Sequence, residues 1–474
     1  MDNVSTKQQR IAQLARRMPE AALSSLHHHM DEAWLLEAWW RTRQDGAAGV
    51  DGQSAEQYAE NLHGNLADLL ERCKSGRYKA PPVRRVNIPK GDGKSTRPIG
   101  IPTIEDKVMQ RAIVMLLEPI YEAEFKPFSF GFRPRKSAHD ALKHLWKQSM
   151  GTWGERSVRW ILDVDIKAFF DTLDHQHLRQ ILDRRVRDGV VRRLIDKWLK
   201  AGVMEEGTLS YRDEGTPQGG VISPLLSNIY LHEVLDDWFG REVQPRMKGR
   251  AFLVRYADDF VIGFECEEDA RRVHEVLPKR FARYGLTLHP DKTRLVAFGP
   301  PDPRSAQDKD NHPQNQPPPA SAPGSAARSF DFLGFTHHWG RARKGGFAVK
   351  QTTAGERLTR ALSKVREWMR RNRHQPVHEQ WRTLKRKVQG HHGYYGISGN
   401  SRGVGRFDYA VRREWFKWLN RRGGRKPLTW ERYGQWLREL FVWPGLPNRQ
   451  RINNTRSEPS NGGTGCGKSA RPDL

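Results

Sequence analysis

The stretch that decides the fold is Phe252–Phe264, which reads FLVRYADDFVIGF. Its two adjacent aspartates, Asp258 and Asp259, lie between two apolar, β-branched runs, and such runs separated by a short break predict a β-hairpin. Carboxylates at the tip of a buried hairpin carry a large desolvation cost unless a cation neutralises them. Taken alone, a double Asp in a turn is more often explained by turn chemistry and solvation. The stretch therefore predicts a hairpin whose turn is either solvated or bound to a cation.

A second stretch, RWILDVDIKAFFDTLDH at positions 159–175, predicts another apolar strand. Asp163 and Asp165 share one face of that strand because side chains alternate along it. If the strand pairs beside the hairpin, Asp165 meets Asp258 and Asp259, and three carboxylates cannot share a dry site without cations. Two Mg²⁺ ions bound by such carboxylates stabilise both the attacking and the leaving oxygen of a phosphoryl transfer. The two stretches together predict a two-metal centre.

The whole chain is strongly basic. Its 474 residues include 81 Lys and Arg against 55 Asp and Glu, giving a net charge of +26 and a pI near 10.2. A charge of that size normally requires a polyanionic partner, most often nucleic acid. The absence of a long apolar span, of a secretory leader and of paired cysteines disfavours membrane, secreted and cysteine–zinc proteins. We therefore expect a soluble, cytoplasmic protein that handles nucleic acid and does not bind a membrane.

Periodicity divides the chain into regions of different character. Residues 1–75 favour helices, residues 80–105 favour strands punctuated by Pro and Gly, and residues 158–299 alternate strands with helices, as an α/β core does. Residues 299–329 are rich in Pro, Gln, Asn and Ser, and such a segment cannot bury enough apolar area to order itself. We predict a disordered insertion there and a disordered tail over 451–474.

The excess positive charge is concentrated towards the carboxy terminus. Residues 341–450 contain 27 Lys and Arg against seven Asp and Glu, so less than a quarter of the chain carries a net charge of +20. Leu358, Leu362, Val365 and Met369 recur at helical spacing and give this segment a core face. A merely solvated surface would mix both signs of charge, so we predict a helical domain that binds nucleic acid.

Eight short blocks of the sequence resemble, in order, the reverse transcriptases of group II introns. They are AAGVDG, IPKGDGKSTRPIGIPTIEDKVMQRAI, FSFGFRP, DIKAFFDTLDH, GTPQGG, RYADD, GLTLHPDKT and FDFLGF. The following LKRKVQGHHGYYGISGN is similar to the family's thumb or maturase region. Any one block is weak, but their joint order and spacing from Leu35 to Leu446 are specific. The resemblance implies an α/β (α+β) right-hand polymerase, with fingers and palm followed by a helical thumb or maturase domain.

The resemblance also implies domain boundaries. They are an amino-terminal extension with fingers over 1–157, a palm over 158–298, the insertion over 299–329, the palm end, primer grip and thumb or maturase domain over 330–450, and the tail over 451–474. The insertion is longer than is usual for the family, and we expect it to loop out of the palm. We expect no H-N-H endonuclease region.

The resemblance assigns the metal ligands. Asp165, Asp258 and Asp259 would bind two Mg²⁺ ions and catalyse nucleotidyl transfer, with the carbonyl oxygen of Ile166 as a further ligand. Asp163 does not match an invariant ligand of the family, so we expect it to be structural or to support the ligands.

Five residues are implied to contact the incoming deoxynucleotide. Lys90 and Arg97 resemble the finger residues that neutralise the triphosphate, although solvent exposure alone would also account for them. Phe170 matches the position whose ring excludes a 2′-hydroxyl group. Gln218 would lie beside the nascent base pair. Lys292 would support the leaving pyrophosphate, and an exposed lysine after a turn is an equal alternative.

Other residues are implied to contact the primer, the template and the intron RNA. Tyr256 would seat the primer end near the metals, and Gly334, within FDFLGF, belongs to the primer grip. The basic carboxy-terminal region would hold the intron RNA and so promote splicing, which is the maturase activity. Its candidate phosphate contacts are Arg382, Lys385, Arg386, Lys387, Arg412, Arg413 and Arg421.

The leading hypothesis is an intron-encoded protein that also supports intron mobility by target-primed reverse transcription. Its partners would be the group II intron RNA, an RNA template, a DNA target or primer, and dNTPs, and a homodimer stays open. One alternative is a free-standing reverse transcriptase of the retron, CRISPR-associated or defence kind, which the PQGG and GHHGYYGISGN blocks disfavour. Another is a splicing-only RNA-binding maturase, which the presence of all three aspartates disfavours.

Overall fold

The computed structural model of the chain describes residues 3–89, 96–151, 157–205, 208–210, 215, 219–300, 328–342, 345–422 and 427–445. Lys90, Gln218, most of the predicted insertion and the predicted tail lie outside these residues. The chain divides into two compact units, one formed by residues 1–145 with 160–295 and the other by residues 146–159 with 296–474. Within the described residues, no helix is long and apolar enough to cross a membrane.

The first unit begins with helices arranged around a long buried helix, α5 (Ile104–Tyr121). Thr103 caps α5 by accepting a hydrogen bond from the backbone N–H of Asp106, and apolar residues cover most of the circumference of the helix, so it packs on several sides. The helical character predicted for residues 1–75 is confirmed. The helices there are α1 (Val4–Arg17), α2 (Glu32–Arg41), α3 (Ala55–Ala59) and α4 (Leu62–Ser75).

A small sheet in the first unit contains the strands predicted between residues 80 and 105. Strands β1 (Val83–Pro89) and β2 (Thr96–Ile101) pair antiparallel. Two short strands from later in the chain, β4 (Val203–Glu205) and β5 (Thr208–Ser210), extend this sheet beyond β1, and the sheet order is β2-β1-β4-β5.

The central sheet of the first unit contains the predicted hairpin, formed by β6 (Ala251–Tyr256) and β7 (Asp259–Phe264). Strand β3 (Trp160–Val164) pairs antiparallel with β7, and the sheet order is β6-β7-β3-β8, with β8 at Arg294–Ala297. Every residue of β6 is buried, which explains its unbroken apolar run. The predicted pairing of the aspartate-bearing strand beside the hairpin is confirmed.

Helices pack around this sheet. The helix α9 (Ser223–Leu231) continues into two π-helical segments, His232–Asp237 and Phe239–Val243. The other helices of this part of the chain are α6 (Ala138–Met150), α7 (His175–Asp183), α8 (Gly189–Leu199) and α10 (Glu267–Ala282).

The second unit combines a small sheet with a helical bundle. The sheet is antiparallel and formed by β9 (Ser329–Phe332), β10 (Phe335–Arg341) and β11 (Phe347–Thr353). The helices are α11 (Gly355–Arg371), α12 (Val377–Tyr395), α13 (Ser401–Asn420) and α14 (Trp430–Glu439).

The predicted apolar stripe of α11 lies against the core of this bundle. Val365 and Met369 are buried, and Leu358 and Leu362 are partly buried against the same cluster. The helical carboxy-terminal domain predicted from periodicity is therefore confirmed.

Candidate functional site

The three predicted aspartates follow from the register of the central sheet. Val164 pairs with Phe260, so Asp165 follows β3 directly at the level of Asp259, the first residue of β7. Asp258 lies in the two-residue turn between β6 and β7. The backbone thus brings all three carboxylate-bearing residues to one end of the sheet.

A lysine ammonium lies against one of these carboxylates. The Nζ of Lys292 donates to the Oδ2 of Asp165 at 2.6 Å, and the side chain of Asp165 is 31% exposed. Among the residues that the structure describes, no three acidic, His or Cys side chains already form a metal-binding cluster. The donors are oxygens of the kind that Mg²⁺ prefers, and a cation already neutralises Asp165, so the residues fit a hard divalent ion that would displace Lys292.

The carbonyl of Ile166 is oriented by its neighbours. The backbone N–H of His289 donates to the carbonyl of Asp165, and that of Lys167 donates to the carbonyl of Thr287, both at 2.8 Å. Ile166 lies between these two bonds in an isolated antiparallel bridge. At such a position the carbonyl points away from the partner segment. Neither of these bonds therefore uses the predicted ligand oxygen of Ile166.

A fully buried arginine supports the turn that contains Asp258. The guanidinium of Arg255 donates to both carboxylate oxygens of Asp236, at 2.7 and 2.5 Å, and to the Oδ1 of Asn228 at 2.9 Å. It also donates to the carbonyl of Ala257 in the turn, at 3.1 Å. Burial raises the pKa of Asp236, but Arg255 more than offsets this, so the pKa lies below its usual range.

A glycine closes the other side of the same turn. A Cβ atom at Gly131 would collide with the backbone nitrogen of Ala257, and the side-chain amide of Asn228 donates to the carbonyl of Gly131 at 2.7 Å. Arg255, Asn228 and Gly131 together hold the turn. Sequence reasoning missed Arg255 as a support, although a lone arginine within an apolar strand signals a buried acidic partner.

Two of the five predicted nucleotide contacts, Phe170 and Arg97, lie on segments that the GTPQGG block approaches. Phe170 is half-buried on a short 3₁₀ turn, and a Cβ atom at Gly215 would collide with the carbonyl of Phe170. A Cβ atom at Gly219 would collide with the carbonyl of Gly100 in β2, the strand that also carries the exposed Arg97. Gly215 and Gly219, two of the three glycines of GTPQGG, therefore approach the Phe170 turn at one end of the block and the Arg97 strand at the other.

Two further residues considered in the sequence analysis, Tyr256 and Asp163, flank the aspartates. Tyr256 ends β6 and is buried, directly before the turn. Asp163 lies on β3, where its Oδ2 accepts a hydrogen bond from the Nε of Arg294 at 3.2 Å. Asp163 is therefore paired with a cation of its own.

In the second unit, Gly334 lies in the two-residue turn between β9 and β10. Leu333 and Gly334 have φ values of 50° and 79°, so both are left-handed, as a type I′ turn requires. The Tyr394 hydroxyl donates to the carbonyl of Leu333 at 2.9 Å, and a Cβ atom at Gly334 would lie 3.2 Å from the Tyr395 hydroxyl. The predicted primer-grip turn is thus packed on the end of α12.

The seven predicted RNA contacts fall into two groups. Lys387 and Arg412 are half-buried, with the Nζ of Lys387 5.8 Å from the ring of Trp368 and the guanidinium of Arg412 4.6 Å from the ring of Trp443. Burial and neighbouring cations lower the pKa of Lys387. Because they are half-buried, these two residues expose less of their charge to a ligand than the other five do. The exposed ones are Arg382, Lys385, Arg386, Arg413 and Arg421.

Comparison with known families agrees with this geometry. Residues 88–337 match the family described as reverse transcriptase (RNA-dependent DNA polymerase). That match covers more than half of the chain, which therefore belongs to the reverse transcriptase family. Residues 358–436 match the group II intron, maturase-specific domain, so the chain has the domains of a group II intron reverse transcriptase and maturase.

Individual relatives support the same assignment. The chain is 36% identical over 324 residues to protein YkfC of Escherichia coli (strain K12), covering 62% of this chain and 84% of that protein. It is 40% identical over 186 residues to the group II intron-encoded protein LtrA of Lactococcus lactis subsp. cremoris, covering 39% of this chain and 30% of that protein. The predicted family, the right-hand polymerase class and the reverse transcriptase and maturase functions are supported. Reverse transcriptases use divalent metal ions, and the family binds intron RNA and nucleic-acid substrates.

Proposed function

We propose that this chain synthesises DNA on an RNA template at Asp165, Asp258 and Asp259, with Mg²⁺ as the metal. The observation that carries the proposal is the register of β3 and β7, in which Asp165 follows β3 at the level of Asp259, beside the turn that contains Asp258. Two Mg²⁺ ions at this edge would neutralise the attacking primer oxygen and the leaving pyrophosphate. The carbonyl of Ile166 is the further ligand in this proposal.

Lys292 has a second role in this proposal. Its ammonium neutralises Asp165 at 2.6 Å, and its side chain is 62% exposed on a flexible stem. With a metal ion held at Asp165, the ammonium of Lys292 would no longer be needed there and would be free to neutralise the leaving pyrophosphate. One residue thereby stabilises the aspartate before the metal binds and the product as it leaves.

The remaining nucleotide contacts keep the roles predicted from the sequence. Arg97 and Lys90 neutralise the triphosphate of the incoming dNTP, and Phe170 excludes a 2′-hydroxyl group. Gln218 supports the nascent base pair. Tyr256 seats the primer end.

The second unit binds the group II intron RNA in this proposal, and it thereby promotes splicing. The exposed cations of α12 and α13 contact phosphates, while Gly334 belongs to the turn that grips the primer. The same chain would then carry out target-primed reverse transcription of its intron at a DNA target, which is the mobility function.

The experiment that tests the polymerase is Mg²⁺-dependent extension of a DNA primer on an RNA template. Asp258→Asn should lower the extension rate by at least about a thousandfold, since it removes a metal ligand while preserving the shape of the side chain. Glu275→Gln, which removes an equally charged but 74%-exposed carboxylate on α10, is the matched control and should leave the rate unchanged.

The same variant separates the two activities. Splicing of the intron RNA should persist in Asp258→Asn, because the proposed RNA contacts lie in the other unit. Extension by Asp258→Asn at the wild-type rate would refute the proposed metal site. Loss of splicing together with extension, in a variant that melts like wild type, would refute the proposed division of labour.

A further inference from the structure

One side of α13 and the residue that caps its carboxy end form an exposed stripe of a tyrosine and three cations. The stripe comprises Tyr409, Arg413 and Lys417 of α13 and the C-cap residue Arg421. These residues recur every fourth position and are all exposed, and residues at that spacing lie on one side of a helix. Tyr409 is 66% exposed, so its ring contributes little to the core of the bundle. The stripe therefore offers a flat aromatic face beside a row of positive charges.

A second aromatic ring lies at the first residue of α14. Trp430 is stacked on Phe416, with ring centroids 3.8 Å apart and an angle of 18° between the planes. Although Phe416 covers one face of the indole, Trp430 is still 55% exposed. Trp430 therefore keeps a large exposed aromatic area beyond the face that Phe416 covers, and a flat ligand can contact such an area.

These side chains line one groove of about 610 Å³ in the second unit, which we term the aromatic groove. Its acidic residue, Glu414, is already engaged, because the Nε of Arg366 lies 3.2 Å from one of its carboxylate oxygens and the Nζ of Lys417 lies 3.9 Å from the other. The groove as a whole keeps a positive excess. The side chains that define it here are Arg366, Tyr409, Arg413, Lys417, Arg421 and Trp430.

We propose that the aromatic groove binds a single-stranded segment of RNA, with unpaired bases stacked on its two exposed rings and the flanking phosphates on its cations. Every base has a π-face, but only an unpaired base can offer that face to a protein ring. Arginine adds cation–π contacts to such stacks and pairs with phosphate through its planar fork. This role rests on the proposed RNA-binding function of the domain and gives it a place and a chemistry.

Two observations favour RNA over another occupant. All six residues lie within 358–436, the part of the chain that matches the group II intron maturase-specific domain. The cations of the stripe would repel most basic protein surfaces and attract a phosphate backbone. A folded intron offers single-stranded loops and bulges whose bases can be splayed out, whereas a base-paired helix hides them.

The test measures binding of the full-length chain to a short single-stranded RNA that carries one fluorescent adenine analogue. Tyr409→Ser should weaken binding about five- to hundredfold and reduce the quenching of the analogue, since it removes a stacking platform. Tyr409→Phe should retain both. Trp40→Ser, which removes a 65%-exposed ring from α2 of the other unit, is the matched control and should change neither.

A backbone of the same length without bases separates stacking from charge. Wild type and Tyr409→Ser should bind this backbone equally. Arg413→Gln should make the fall of log affinity with log salt less steep by about 0.7 on either ligand. Thiouridine crosslinks mapped by mass spectrometry should fall on α13 and the start of α14.

The outcomes distinguish the two levels of the hypothesis. If wild type binds no RNA, the proposed maturase function fails and the groove with it. Two outcomes would overturn only the stacking site, provided that wild type binds RNA. In the first, Tyr409→Ser binds the RNA as tightly as wild type does. In the second, Tyr409→Ser weakens binding of the base-free backbone as much as binding of the RNA. Equal Tyr409-dependent binding of DNA of the same sequence would overturn the assignment to RNA, and crosslinking to a protein partner alone would overturn nucleic acid altogether.

Discussion

Two regions use charge in opposite ways: the palm edge, which is the end of the central sheet with Asp165, Asp258 and Asp259, and the helical bundle of the second unit. At the palm edge a few charged groups are fixed: Arg255 is fully buried and donates to Asp236, Asn228 and the turn before Asp258. On the bundle the charges are many and exposed, and their long side chains lie on helix surfaces. Chemistry needs a defined position for each group, whereas holding a polyanion needs only the sum of many contacts. Single substitutions should therefore be decisive in the palm and graded in the bundle.

The largest effect should come from breaking the buried ion pair of the palm. Arg255→Met removes both hydrogen bonds from the guanidinium to the buried Asp236 and leaves it the weaker contact with the Nδ1 of His232 at 3.8 Å. The substitution should therefore lower the free energy of unfolding by about 3–5 kcal/mol in urea titrations. The double variant Arg255→Met, Asp236→Leu removes both charges and should recover most of that stability. Primer extension by the double variant should stay slow, because the hydrogen bond to Ala257 is lost.

The double variant distinguishes a purely structural role of Arg255 from a role in positioning the turn. If its stability and extension rate both recover, Arg255 is a structural residue only. If stability recovers and extension does not, Arg255 positions the turn. An Arg255→Met protein as stable as wild type would contradict the assignment of a buried, ionised pair.

The next effect concerns pH and a second buried carboxyl of the first unit. Burial raises the pKa of Asp106 to about 7, despite the hydrogen bond from Trp198, while the unfolded chain loses this proton near 3.8. The folded state thus holds the extra proton between these values, so its stability falls as pH rises through that window. Asp106→Asn should gain roughly 2–3 kcal/mol over wild type between about pH 5 and about pH 8.

Urea titrations of both proteins across this pH range measure the difference. Asp68→Asn, on the exposed side of α4, is the control and should follow the wild-type curve. Parallel curves for Asp106→Asn and wild type would show that this carboxyl is ionised in the folded protein. The bundle shows the reverse trend, because burial lowers the pKa of His391 to about 4 and penalises acidic conditions.

A smaller, graded effect is expected on the bundle. Removing Lys385 and Arg386 together should make the fall of log RNA affinity with log salt less steep by about 1.4, because each phosphate contact to a single strand contributes about 0.7. Primer extension at saturating substrate should not change. The control replaces Arg271 and Arg272, which are exposed on α10, and should leave the salt dependence unchanged. An equal change of the salt dependence in the control would show that RNA affinity depends on total charge and not on these positions of the bundle.

The smallest effect should come from Lys292. Replacing it by Gln removes a cation that competes with metal at Asp165, so the half-saturating Mg²⁺ concentration should fall up to about fivefold, as expected for an exposed ion pair. The maximal extension rate should fall at the same time, because the pyrophosphate loses its counter-charge. Lys279→Gln is the control. A higher Mg²⁺ requirement would show that Lys292 orients Asp165 for the metal.

Much of the fold and the place of the aspartates were predictable from local pattern. Apolar runs predicted β3, β6 and β7, and the spacing of Leu358, Leu362, Val365 and Met369 predicted α11, since burial imposes these periods directly. The carboxylates sit at strand ends, where the sequence itself shows them.

The supports of the site were not predictable in the same way. Asp236 is 19 positions from Arg255, in a stretch that resembles an ordinary solvated helix turn, and Asn228 is 27 positions away. Lys292 reaches Asp165 across 127 positions. Such contacts depend on how elements pack, and the aromatic groove depends on the approach of α14 to α13, which no local period encodes.

Ala257 has a consequence for the unfolded chain. Its φ of +57° is a conformation that suits glycine better, and an L-residue there is strained by about 1–2 kcal/mol. Glycine would relieve this strain, but it would also widen the range of shapes open to the unfolded segment and loosen the turn once folded. The methyl group of Ala257 thus restricts the backbone conformations of the turn. It thereby also restricts the positions that the neighbouring Asp258 can take before substrate binds.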